Sequence, residues 1–117
     1  MSENDDKGPN SARLMPHLDP YQSEAGPELD SLIHHQVLGN PRTEASPCYS
    51  TDSEQAEELK KMMEARYGTT FTCGRTSIRG KAWFARYEID RGNPTEVIAE
   101  TYALAVCRLT LLRTVRR

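Results

Sequence analysis

Asn93-Pro94-Thr95-Glu96-Val97-Ile98-Ala99-Glu100-Thr101-Tyr102-Ala103-Leu104-Ala105-Val106-Cys107-Arg108-Leu109-Thr110-Leu111-Leu112-Arg113-Thr114-Val115-Arg116-Arg117 closes the chain, and its reading decides the fold. The stretch predicts one long apolar helix. Asn93 suits the N-cap, because its side chain can accept from a first-turn N–H. Pro94 suits the first helical position, and Glu96 completes a variant capping box. Arg113, Arg116 and Arg117 sit at the other end, where the helix dipole favours cations. Ile98, Tyr102, Ala105, Leu109 and Leu112 recur at helical spacing and define one face. Val97, Leu104, Leu111 and Val115 widen it on one flank and Val106 on the other. Only Glu96, Glu100, Cys107, Thr110 and Thr114 form a strip suited to water. An arc this wide either touches two elements of its own chain or contributes to a dimer. Leu104, Leu111 and Val115 are the candidate partner surface on the second alternative.

Working outward, Lys81 to Ile89 alternates with period two. Trp83, Ala85, Tyr87 and Ile89 face one way, and Phe84, Arg86 and Glu88 the other. Phe71 and Cys73 begin a preceding strand, and Gly74 to Gly80 holds the turn residues of a hairpin. Two strands alone are marginal, so helices or a third strand must cover them. Further upstream, Thr51-Asp52-Ser53-Glu54 predicts a capping box with Thr51 as the cap. Ala56, Leu59, Met62, Met63 and Tyr67 supply that helix's inward face, and Gly68 stops it. Pro27 opens a shorter helix with Leu29, Leu32, Ile33 and Val37 inward, and Gly39 is its left-handed stop.

The whole chain has 117 residues, enough for one domain. Its hydrophobic content of 37% and mean hydropathy of -0.70 are low for a fully folded chain. Residues 1–26, rich in polar residues and proline, are expected to form a disordered tail, leaving 27–117 as the single domain. The expected class is α+β: a small antiparallel hairpin or three-stranded sheet layered between helices, in the order α-α-β-β-α. Charge is uneven. Residues 1–65 carry 5 Lys and Arg against 13 Asp and Glu, net −8, and residues 66–117 carry 10 against 4, net +6. No apolar run is long enough to cross a membrane and no signal peptide opens the chain, so an intracellular site is expected.

Several segments match one pattern. They are Pro27-Glu28-Leu29-Asp30-Ser31-Leu32-Ile33, Tyr49-Ser50-Thr51-Asp52, Trp83-Phe84-Ala85-Arg86-Tyr87, and the run Glu100 to Leu109. In this order and spacing the chain resembles the phage ABA sandwich domain family, small proteins of phages and prophages. The resemblance implies an α/β layered fold and a phage origin, hence the host cytoplasm. It implies no reaction and no catalytic residues.

The residues themselves point away from catalysis. His34 and His35 are adjacent on a helix and diverge by about 100°, so they do not share a metal readily. Cys48, Cys73 and Cys107 have no zinc spacing, which predicts three free thiols and no bound metal. Asp52 and Glu54 are explained by capping. No cofactor is expected. The partner is expected to be another protein or a second copy of the chain. Nucleic acid is the second class, through the basic hairpin residues Arg75, Arg79 and Lys81 with Arg113, Arg116 and Arg117.

Overall fold

The computed structural model describes residues 19–88 and 94–115, the last of these by its backbone alone. Asn93, Arg116 and Arg117, and residues 1–18 of the expected tail, lie outside the described residues.

Helix α1, Pro27–Ser31, opens on Pro27 and widens into a π-helical stretch, Leu32–Val37. Gly39, with φ 81, turns the chain away from it in the left-handed region that glycine tolerates. Helix α2, Ser53–Tyr67, is capped by Asp52 rather than by Thr51. The Asp52 carboxylate accepts from Glu54 N–H at 2.8 Å and from Gln55 N–H at 3.3 Å. A charged acceptor one residue later simply displaces the hydroxyl from that role. Gly68 ends α2 at φ 66.

Strand β1, Thr72–Arg75, pairs antiparallel with β2, Trp83–Tyr87, as the alternation predicts. A third strand, β3, Thr95–Ala99, pairs antiparallel with the other side of β2. The last helix, α3, is therefore shorter than the sequence suggested and spans Tyr102–Val115. Thr95, Val97 and Ile98 are β-branched and fit a pleated surface, and the waiting edge of β2 selects the extended form. Thr101 assumes the capping role expected of Asn93: its hydroxyl accepts from Leu104 N–H at 3.1 Å. The α+β class and the three-stranded antiparallel sheet, in order β1-β2-β3, stand as expected.

The layers explain the width of the apolar arc. Sheet residues Ala85, Val97 and Ala99 cover one side of α3. Helix α2 and the π-helical stretch cover the other, with Leu59, Met63 and Ile33. Helix α3 is thus the middle layer, and every residue from Ala103 to Leu112 is buried. Each fully buried leucine here contributes roughly 2–3 kcal/mol. Of the strip that looked suited to water, Glu96 and Glu100 are exposed, but Cys107, Thr110 and Thr114 are buried. The Thr110 hydroxyl donates to the Val106 carbonyl at 2.9 Å and the Thr114 hydroxyl to Thr110 at 2.8 Å. Back-bonding of this kind satisfies a threonine without water. The arc serves two elements of the same chain. Leu104 and Leu111, at 5% and 0% exposure, are core residues. Of Val115 only the backbone is described.

Residues 19–26 of the expected tail are mostly exposed but fixed at two points. Asp19–Gln22 forms a turn, and Ser23 is buried.

Candidate functional site

Two polar clusters fasten the helices to the connection between them. Asp30 is buried, and its carboxylate accepts from Ser50 N–H at 2.8 Å and from the Ser50 hydroxyl at 2.7 Å. Ser50 also accepts from Gly26 N–H at 2.9 Å. Next to it, His34 Nε2 lies 2.9 Å from the Glu44 carboxylate and Nδ1 lies 2.9 Å from the Tyr49 hydroxyl. With Nε2–H donating to Glu44, Nδ1 accepts from Tyr49 O–H; the Asn40 amide also reaches it at 3.2 Å. His34 is therefore a satisfied core histidine. Burial, reinforced by Glu44, raises the Tyr49 phenol above its ordinary pKa. These contacts join Pro27–Ile33 to Tyr49–Asp52, two of the segments that carried the family resemblance. Both segments hold the fold together.

Two of the three thiols are inert by position. Burial pushes the Cys73 thiol up to about 11 and raises Cys107 well above the ordinary thiol range. Only Cys48 is exposed. Among the described residues, no cluster of three or more His, Cys, Asp and Glu is placed to hold a metal. No described helix is long and apolar enough to cross a membrane.

The basic residues divide between the two ends of the sheet. Arg75 lies over the Trp83 ring, 5.1 Å from its centroid, at the end of the sheet nearest the hairpin tip. Arg79 occupies the tip itself, and Lys81 is paired with Glu100. Arg113 lies at the opposite end, 4.1 Å from the Tyr67 ring centroid and 5.5 Å from that of Tyr87. Hairpin tip and C-terminal arginine therefore do not make one continuous basic surface.

The tip has unusual backbone geometry. Lys81 N–H donates to the Ile78 carbonyl at 2.9 Å, closing a four-residue turn. Arg79 has φ 54 and ψ 35, and Gly80 has φ 76. Two successive left-handed residues define a hairpin turn of type I′. Arg79 is the sole non-glycine with positive φ among the described residues.

Beside this tip lies a cleft of ≈ 980 Å³. Its walls come from the 21–25 segment, the tip, β3 and the start of α3. Arg108, buried on α3, spans the walls: Nε donates to the Ser23 carbonyl at 2.9 Å and Nη1 to the Ile98 carbonyl at 2.8 Å. Burial lowers its pKa without threatening the charge. Tyr21 and Ile78 line the cleft and remain 45% and 48% exposed. Alternation along the ladder turns the N–H and C=O of Val97 and Ala99 toward β2, where Ala99 accepts from Ala82 N–H. It turns those of Glu96 and Ile98 outward, into the cleft. Among the described residues no strand pairs with this outer edge.

Sequence reasoning missed most of this site. Tyr21 fell in the expected tail, Glu96 and Ile98 fell in the expected helix, and Ile78 was one residue in a polar turn. Of the candidate site residues singled out beforehand, Arg79, Lys81 and Leu104 line the cleft.

The fold is similar to that of a phage protein from Bacillus cereus ATCC 14579, whose crystal structure is known at 2.0 Å. The TM-score is 0.59 at 20% identity, over 78% of this chain and 95% of that one. At this identity the likeness is one of fold. No protein-family model matches the chain, and no curated protein matches it in sequence. The resemblance to the phage ABA sandwich domain family therefore rests on the motifs quoted above.

Proposed function

We propose that this chain is a phage- or prophage-encoded accessory protein, acting in the host cytoplasm as a non-enzymatic module that binds another protein. The observation that carries this reading is the cleft along β3. There, exposed Tyr21 and Ile78 meet outward-facing backbone groups at Glu96 and Ile98. An apolar contact area beside an unpaired strand edge suits a polypeptide partner. The phage origin is supported by the motifs and by the fold likeness to the Bacillus cereus phage protein. The non-enzymatic reading is supported by the occupation of the chemically capable groups. His34 is bonded through both ring nitrogens, and the Cys73 and Cys107 thiols are held protonated.

Photo-crosslinking in the phage-bearing host tests it. A benzophenone side chain placed at Tyr21 or Ile78 is expected to trap a discrete protein. The same group at Met62, a 41% exposed hydrophobe on α2, is expected not to. Equal trapping at all three positions, or none at Tyr21 and Ile78, contradicts the reading. A trapped second copy of the chain makes the partner a homodimer.

Nucleic-acid binding is the second reading, favoured by exposed Arg75 and Arg79 on one hairpin. It draws less support, because Lys81 is paired and Arg113 faces Tyr67 and Tyr87. A low-salt mobility shift on DNA or RNA, lost on combining Arg75→Ala with Arg79→Ala, would favour it.

A further inference from the structure

We infer that the cleft takes an extended peptide segment, which adds to the outer edge of β3 as a fourth strand and offers a carboxylate side chain to Arg79. The inference rests on the protein-binding role proposed above and names the chemistry of the partner.

Three observations converge. The first is the edge. The Ile98 carbonyl is taken by Arg108, which leaves the Glu96 N–H, the Glu96 C=O and the Ile98 N–H directed outward. Donor, acceptor and donor along an extended backbone are what a second strand matches, whatever its sequence. The second is apolar contact: Tyr21 and Ile78 line the same cleft and give side chains of the added strand something to cover. The third is Arg79. The first central residue of a type I′ turn is favourable for glycine, asparagine or aspartate and unfavourable for a long side chain. Arginine stands there nonetheless. Its side chain lines the cleft, and it has no ion-pair partner among the described residues. The other cleft cations are engaged, Lys81 by Glu100 and Arg108 by two carbonyls. One guanidinium without an ion-pair partner among the described residues, beside a strand edge, suits one carboxylate. A polyanion is disfavoured, because Glu24, Glu96 and Glu100 line the same cleft.

Panning a yeast-displayed random heptapeptide library against the full chain tests this. Enriched peptides are expected to carry Asp or Glu at one fixed place among β-branched or aromatic residues. A synthetic consensus peptide should shift the amide signals of Glu96 and Ile98 in ¹⁵N-labelled protein. Its affinity should fall by about tenfold or more in Arg79→Gly and Arg79→Asn, and by less in Arg79→Lys, which keeps the charge. Gly and Asn accept the left-handed turn better than Arg, so both variants should melt no lower than the parent. Weakened binding then cannot come from misfolding. Peptides bound at Glu96 and Ile98 without an acidic preference, or bound equally by Arg79→Gly, overturn the carboxylate contact and leave the protein-binding role standing. No enrichment, or signals shifting elsewhere, overturns both. So does salt-sensitive capture of a single-stranded DNA oligonucleotide in this cleft in place of peptides.

Discussion

The two ends of the sheet differ in kind. At the Tyr87 end, Tyr87 stacks on Phe71 with centroids 6.0 Å apart and Arg113 lies between Tyr67 and Tyr87. Aromatic faces and a partly desolvated guanidinium close that end against the helices. At the other end, Trp83 meets Tyr102 edge-on and the sheet then runs out into the hairpin tip. Here lie Ile78 with half its surface in water, a left-handed arginine, and a strand edge with no neighbour among the described residues. The closed end shows what this chain does where only stability matters: it packs aromatic rings and a guanidinium face to face, even with the buried Tyr87 hydroxyl and Arg113 Nε left without a hydrogen-bond partner among the described residues. The open end keeps unsatisfied backbone, apolar surface and local strain together. That combination is costly for a fold alone and useful for binding.

The comparison can be broken first in the middle layer. Leu111→Ala should lower unfolding free energy in urea by about 3 kcal/mol, since it leaves a cavity between layers. Unchanged stability would return Leu111 to the protein surface and reopen self-association through α3. Ser50→Ala should cost about 2 kcal/mol by the same assay, because the buried Asp30 carboxylate loses its hydroxyl donor.

The thiols sharpen the contrast further. Cys48 should react with an alkylating reagent within the folded protein, while Cys73 and Cys107 wait for unfolding. Folded Cys73 holds its proton more tightly than the unfolded chain does. Its contribution is therefore complete below pH 9 and is lost as pH climbs toward about 11. The Tyr102 phenol, raised by burial and by its bond to Glu57, acts in the same alkaline direction. Stability that rises between pH 9 and 11 would contradict the assignment. The smallest effect is expected at the tip. Arg79→Gly should stabilise the chain by about 1 kcal/mol, by relieving a left-handed conformation.

Much of the fold was legible locally. The alternation of Trp83, Ala85 and Tyr87, the stop at Gly68 and the apolar periodicity of α2 each carry their own signal. Strand β3 was not legible, because Pro94 and Glu96 imitate a helix start and Val97-Ile98 fits either period. Pairing with β2 decides it, and pairing is a long-range fact. The burial of Cys107 and Thr110 was hidden for a different reason: a threonine that bonds back to its own helix no longer needs water. The site was the least legible part. Tyr21, Ile78 and Ile98 come from three distant segments, and Arg108, an arginine in the middle of an apolar helix, holds their walls in place.

Amide hydrogen exchange along β3 in the unliganded protein tests the open edge most directly. The account predicts slow exchange at Val97 and Ala99, whose N–H groups face β2, and fast exchange at Glu96 and Ile98, whose N–H groups face the cleft. Equal protection at all four positions would mean that the outer edge is already covered, and the proposed binding site would not exist.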